Sequence, residues 1–330
     1  VMRVVVVGAG AVAEALEAFL SGGSLICTVV PAEHVAGNAV VRQADWIIEA
    51  AGEDVQSKRA ALASIAAASR GDCLVSSDAS VHTRAELLEG AAASFMARHA
   101  VAHFFFPLDR LALVEWVAAS GEGVAPMAVD AQERLRHVLV TGLRRQVVEC
   151  KDRPGYVANR LGFAALAQAM ALADEHGLSP ARADSALTRV LGWPRTAAFG
   201  TVDLIVPSLF AKLSQALADR LAQDDPLAQA LPRALAWIQR LERFPAGAFY
   251  RRSQKGRPPL VIDFQDGVYR APSTEPLTDH EETYAGHVRS WVSDYLTTVA
   301  GQTGLSAEQV WGVMAGSYGW AVPENHMGQA

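Results

Sequence analysis

The chain has 330 residues, of which 51% are hydrophobic and 19% charged, and carries a formal net charge of −6 with a pI near 5.9. This length exceeds one small module, and the composition excludes a disordered or collagen-like chain, so two or three packed domains are expected. The acidic balance offers no basic field to a phosphate backbone and argues against nucleic-acid binding.

Val4 to Val7 form a β-branched run, followed by Gly8-Ala9-Gly10-Ala11-Val12-Ala13 and then by Glu14 to Phe19 at helical spacing. The pattern predicts a strand, a glycine turn and a helix. Gly8, Gly10, Glu14 and Glu17 interrupt the apolar run, so it reads as neither a signal peptide nor a membrane span, and a cytoplasmic protein is expected. Further strands are expected at Leu25 to Val30, Trp46 to Ala51 and Cys73 to Ser76, with a helix from about Val55 to Ser69. Alternation of this kind predicts a parallel, doubly wound α/β sheet. Cys27, Cys73 and Cys150 are widely spaced and lack a CxxC partner, so neither a disulfide framework nor a metal site is expected from them.

After Asp152 the pattern becomes helical. A long apolar helix is expected from Gly155 to His176, and Ser179-Pro180 supplies an N-cap and a proline at the first position of the next. Helices also fit about Pro207 to Gln223 and Pro226 to Glu242. An irregular stretch spans Phe244 to Pro276, and the capping box Ser306-x-x-Gln309 opens a final helix before Gly316. The domain division expected is 1–151 for a nucleotide-binding unit, 152–245 for a helical unit, and 246–330 for a linker and a second, truncated helical repeat.

The turn Gly8-x-Gly10-x-x-Ala13 lies between a strand and a helix, the context that the dinucleotide fingerprint requires. Gly8 permits the tight turn, Gly10 the approach of a pyrophosphate to the backbone, and Ala13 the close packing of the helix. The alternative is a tight turn that binds nothing. His103 ends an apolar strand and precedes Glu115 by twelve residues; together they can form a base whose imidazolium is oriented by a carboxylate, whereas singly each reads as a core residue.

These features occur in order with Ala44-Asp45-Trp46-Ile47-Ile48-Glu49-Ala50, with Glu53 followed by Lys58, and with Lys151-Asp152-x-Pro154-Gly155-x-x-x-Asn159-Arg160. The sequence thereby resembles the L-3-hydroxyacyl-CoA dehydrogenase family over nearly its whole length, most closely the dehydrogenase part of bacterial dehydrogenase/enoyl-CoA hydratase fusions of fatty acid metabolism. The resemblance implies a Rossmann-type NAD-binding domain followed by an all-α domain like the C-terminal one of 6-phosphogluconate dehydrogenase. It implies NAD as cofactor, a 3-hydroxyacyl-CoA or smaller 3-hydroxy acid as substrate, and β-oxidation chemistry. His103 would be the general base and Glu115 would orient it. Ser80 and Asn159 match polar residues that contact the substrate oxygen and cofactor. Glu53 and Lys58 match positions lining the ribose and nicotinamide, and Phe106 stands where the family has an Asn that addresses the nicotinamide.

The sequence also departs from the family. Val29-Val30-Pro31-Ala32-Glu33 lacks the Asp that normally closes the second strand and receives the adenine ribose, leaving Glu33 as a displaced substitute. Only about a dozen residues separate Pro31 from Ala44, too few for the helical hairpin that holds CoA in the family. Asp78 replaces an Asn, and Val206-Pro207-Ser208 replaces a Gly-Leu-Asp. An active dehydrogenase is the leading expectation; a degenerate homologue serving as an assembly subunit, for instance with a separate hydratase, is the alternative. A dehydrogenase of the 6-phosphogluconate type would need a Lys at the head of the long helix, which Gly155 to Arg160 does not supply. A homodimer is expected, with Trp291, Tyr295 and Trp311 on the covered surface or in the core of the chain.

Overall fold

The computed structural model describes residues 1–22, 25–118, 126–245, 247–253 and 258–323, and the chain forms two units, Val1–Tyr156 and Val157–Ala330. The elements of the first are β1 (Met2–Gly8), α1 (Ala11–Leu20), β2 (Leu25–Val30), α2 (Ala39–Gln43), β3 (Trp46–Ala50), α3 (Val55–Ala68), β4 (Leu74–Ser77), α4 (Arg84–Leu87), α5 (Ala93–Met96), β5 (His99–Phe104), β6 (Leu113–Val117), α6 (Pro126–His137) and β7 (Gln146–Glu149). The seven strands lie in the order β2-β1-β3-β4-β5-β6-β7, parallel throughout except for the antiparallel β5–β6 pair.

Two cores explain the uninterrupted valine run. Val5 and Val7 pack on one face of the sheet with Ile47, Val75 and Val101, while Val4 and Val6 pack on the other with Ile48, Ala100 and Ala102. Successive side chains of a strand point to opposite faces, so a strand covered on both sides must be apolar at every position. Helix α1 ends at Leu20 with Ser21 as C-cap; Gly23, part of the expected stop signal, lies outside the described residues.

The second unit contains α7 (Ala158–Glu175), α8 (Pro180–Leu191), α9 (Phe199–Ile205), α10 (Pro207–Ala218), α11 (Pro226–Leu241), β8 (Tyr250–Arg251), β9 (Leu260–Ile262), β10 (Tyr269–Arg270), α12 (Asp279–Thr303) and α13 (Ala307–Tyr318). Helix α7 begins three residues later than the sequence suggests, because Gly155 and Tyr156 both take positive φ and form a turn. Helix α13 passes through Gly316 and stops at Gly319, which adopts the left-handed conformation at φ +68. The stretch expected to be irregular contains a three-stranded antiparallel sheet, β10-β9-β8. Its first strand is fixed by Asp203, whose carboxylate accepts the backbone N–H groups of Phe249 and Tyr250 at 2.9 and 2.7 Å.

Helix α7 is buried nearly all round, with α11 and α12 packed against it and α13 closing its start. A Cβ on Gly162 would lie 2.2 Å from the ring of Tyr318, so the glycine is required for α13 to approach. The Tyr318 hydroxyl donates to Asn159 Oδ1 at 3.3 Å, and Trp193 stacks on Trp320 with centroids 4.4 Å apart. Tyr295 and Trp311 are buried core residues, 3% and 8% exposed, which removes them as surface awaiting a second copy. The exposed large apolar residues of this unit include Leu204, Val206 and Leu209 at the α9–α10 junction.

Asp184 organises the corner between α8 and α9. One carboxylate oxygen accepts the N–H groups of Ala198 and Phe199, the other that of Gly200 and the Tyr250 hydroxyl, all within 3.0 Å. Removing the acceptor strands these buried donors, and hydrogen bonds to a charged group contribute more than neutral ones. Asp184→Ala is therefore expected to lower the unfolding free energy by about 3 kcal/mol or more, with Asp184→Asn recovering part of the loss, as measured by denaturant titration.

Candidate functional site

In a doubly wound sheet the chemistry gathers outside the carboxyl ends of the parallel strands, where the strand order reverses. Here the reversal falls at β1, flanked by β2 and β3. Gly8 pairs with Ala50 in register, and a Cβ built on it would lie 2.5 Å from the Ala50 carbonyl oxygen, so only glycine permits these two strand ends to meet. Gly10 holds φ +79 with nothing within 4 Å of a Cβ position, and Ala9, Ala11 and Val12 are exposed around it. Ala13 is fully buried against the sheet. No side chain caps the N-terminus of α1, which leaves its first-turn N–H groups to an anion. This open cradle fits the pyrophosphate of a dinucleotide.

The fit is poorer at the adenosine end. Strand β2 closes with buried Val30 and then Pro31, and Glu33 lies exposed in a 3-10 turn, Ala32–His34. Between that turn and β3 the chain holds only the five-residue α2.

The remaining parallel strands deliver the polar groups. His103, at the end of β5, faces Glu115 across the antiparallel pair, and its Nδ1 lies 2.9 Å from Glu115 Oε2. Both side chains are buried, and the ring of His103 packs edge-on to Phe105 and beside Tyr156. Burial disfavours the imidazolium, but the hydrogen bond and charge of Glu115, joined by the charges of Asp78 and Glu53, outweigh it and hold the His103 pKa above the ordinary histidine value. The second oxygen of Glu115 lies 3.9 Å from the thiol of Cys150. Burial raises the pKa of that thiol well above the usual range, so it stays protonated.

After β3, Glu53 accepts the Ser80 hydroxyl at 2.8 Å, and its backbone carbonyl lies 3.0 Å from His82 Nε2. Ser80 is thus oriented by Glu53. The Lys58 ammonium reaches Glu49 at 3.2 Å and the Asp78 backbone carbonyl at 2.7 Å, with 1% of its side chain accessible. It braces the ends of β3 and β4 from inside. Phe106 is 37% exposed just beyond β5. Asn159 stands in the first turn of α7 in the second unit and does not cap its helix; Val157 is the N-cap. Sequence reasoning missed the Glu49–Lys58 pair, Tyr156 and Cys150 as neighbours of the site, because each contact joins different elements of the fold.

A doubly wound sheet with a glycine cradle at its reversal point and a His–Glu pair at the neighbouring strand ends defines a Rossmann-type dinucleotide-binding unit. Residues 26–153 match the family profile described as 3-hydroxyacyl-CoA dehydrogenase, NAD binding domain, and residues 155–252 match that of the C-terminal domain of the same enzymes. The chain belongs to the 3-hydroxyacyl-CoA dehydrogenase family. A probable 3-hydroxyacyl-CoA dehydrogenase of Deinococcus radiodurans is 32% identical over 165 residues, 50% of this chain and 46% of that protein. A putative fatty acid oxidation complex trifunctional enzyme of Rickettsia felis is 26% identical over 237 residues, 70% of this chain and 32% of that protein. The chain thus spans less than half the length of either relative. The fold is shared with 3-hydroxybutyryl-CoA dehydrogenase from Escherichia coli at a TM-score of 0.57 and 20% identity, covering 69% of this chain and 54% of that one. None of the described helices is long and apolar enough to cross a membrane.

The contact at Gly8 can be tested directly. Gly8→Ala forces the Cβ against backbone, which cannot yield as a flexible side chain would, and is expected to lower stability by about 1–3 kcal/mol and to weaken NADH binding, read by thermal unfolding and calorimetry.

Proposed function

We propose that the protein interconverts a 3-hydroxyacyl-CoA, or a smaller 3-hydroxy acid, and its 3-keto form, with His103 as the proton-exchanging group. The observation that carries this reading is the buried His103–Glu115 bond at the strand ends beside the glycine cradle. NAD held over Gly8 to Ala13 would supply the hydride acceptor in oxidation and, reduced, the donor in the reverse direction. Because Nδ1 of His103 is turned to Glu115, the proton of the 3-hydroxyl is exchanged with Nε2. Glu115 fixes the tautomer and holds the positive charge that forms. Ser80, positioned by Glu53, and Asn159 are assigned to substrate oxygen and cofactor; Glu53 and Phe106 are assigned to the nicotinamide end.

The short connection between β2 and β3 supports a reduced hold on CoA, which is why a small 3-hydroxy acid is included in the substrate class. The similarity to a trifunctional enzyme of a fatty acid oxidation complex supports a separate hydratase as partner, and the proposal includes a cytoplasmic homodimer. The reading is tested by adding acetoacetyl-CoA to the protein and NADH and following the loss of reduced-nicotinamide absorbance. His103→Gln is expected to reduce turnover by about 10²- to 10⁴-fold, the worth of a positioned acid or base. No turnover by the parent protein with any 3-keto thioester or acid would instead indicate a degenerate assembly subunit.

Cofactor affinity should reflect the exposed, displaced Glu33. A carboxylate receiving ribose hydroxyls contributes about 1.5–3 kcal/mol, so its absence weakens binding by about ten- to a hundredfold. The same acid would repel a 2′-phosphate. Calorimetry is expected to show weak NADH binding with little preference over NADPH; tight, NADH-selective binding would mean that Glu33 or another group serves the ribose.

A further inference from the structure

We propose that Asp78 is a second carboxylate of the His103 centre, a positioning residue whose negative charge joins that of Glu115 in favouring the protonated imidazole. The inference rests on His103 as the proton-exchanging group. Strand β4 ends at Ser77, which is in register with Val101 of β5, so Asp78 lies alongside the strand end that carries His103. Its Oδ1 accepts the backbone N–H of Phe104, the residue after His103, at 3.0 Å, and the residue is only 9% exposed. An asparagine would also offer that N–H an acceptor, without burying a charge. What an aspartate adds at this position is therefore its ionisation.

The groups that face Asp78 come from each neighbouring element. From α3, Lys58 donates to the backbone carbonyl of Asp78 while its ammonium pairs with Glu49 of β3. Glu53 contributes a like charge from the loop after β3; β5 contributes His103, itself bonded to Glu115 of β6; and Tyr156, whose ring lies 5.9 Å from that of His103, also feels the charge of Asp78. Burial pushes the Asp78 carboxyl up to about 6, opposed chiefly by the charge of His103, then by the Phe104 N–H and Lys58. The coupling is reciprocal, since a carboxylate that stabilises the imidazolium is stabilised by it to the same extent. In the reduction direction the enzyme must hold a proton for the keto oxygen, and a raised imidazolium population supplies it; oxidation requires the base and is displaced to higher pH.

The test is an NMR titration of the ligand-free full chain, with the His103 resonance assigned by its loss in His103→Gln. In Asp78→Asn the His103 midpoint is expected to fall by about one pH unit, the lower end of the effect of a neighbouring opposite charge. An unmoved midpoint in the folded variant overturns the proposal. The carboxyl resonance of Asp78, followed in His103→Gln, provides the reciprocal measurement should Asp78→Asn fail to fold: its midpoint is expected to rise, and an unchanged midpoint overturns the coupling. These titrations need no substrate. If the shifts are found and no 3-keto compound is turned over, the dehydrogenase reading fails while the Asp78–His103 coupling stands.

Discussion

The antiparallel register between β5 and β6 is the constraint on which the site depends. Strands β1 to β5 run parallel, which sends their carboxyl ends to one edge and leaves their polar loops there, while β6 and β7 run the opposite way. Strand β6 returns from that edge, so its early residues lie beside the end of β5. His103 and Glu115 thereby become register partners. The geometry of the His103–Glu115 pair is therefore set by the sheet itself, and no mobile loop is needed to hold it.

Around this pair the protein concentrates acids in low dielectric. Glu49, Glu115 and Asp78 are buried, Glu53 is partly so, and the compensating cations are Lys58 and the imidazolium. Removing either cation would leave a buried carboxylate without its partner, a strongly destabilising change. Lys58 and His103 thus hold related positions: one neutralises the ends of β3 and β4 permanently, the other neutralises the ends of β5 and β6 only when it carries a proton.

What was legible in the sequence was what has short range. The valine run, the glycine turn and the capping residues Ser179 and Ser306 act within a few positions, and each produced the expected element. The His103–Glu115 contact was also within reach, since twelve residues suffice for two paired strands and a connection. The Ser80–Glu53 bond was not, because strand order decides which loops meet and periodicity says nothing about strand order; nor was the Glu49–Lys58 pair, because periodicity does not tell that a helical lysine turns back onto the strand before it. The small sheet β8–β10 escaped because strands of two or three residues carry no alternation, and its anchor, Asp203, lies far away in sequence. Tyr295 and Trp311 looked like candidates for a covered surface, yet helix packing inside the unit had already claimed them.

The bond from Tyr318 to Asn159, with the ring of Tyr318 resting on Gly162, ties the head of α7 to a residue 159 positions later in the chain. During vectorial synthesis the Rossmann unit is complete once residue 156 has left the ribosome, whereas the head of α7 lacks its final neighbour until α13 appears. At about 5–20 residues per second that interval lasts on the order of 10–30 s. A nascent chain therefore exposes every residue of the His103–Glu115 pair and the glycine cradle well before the helix bearing Asn159 can have its finished surroundings.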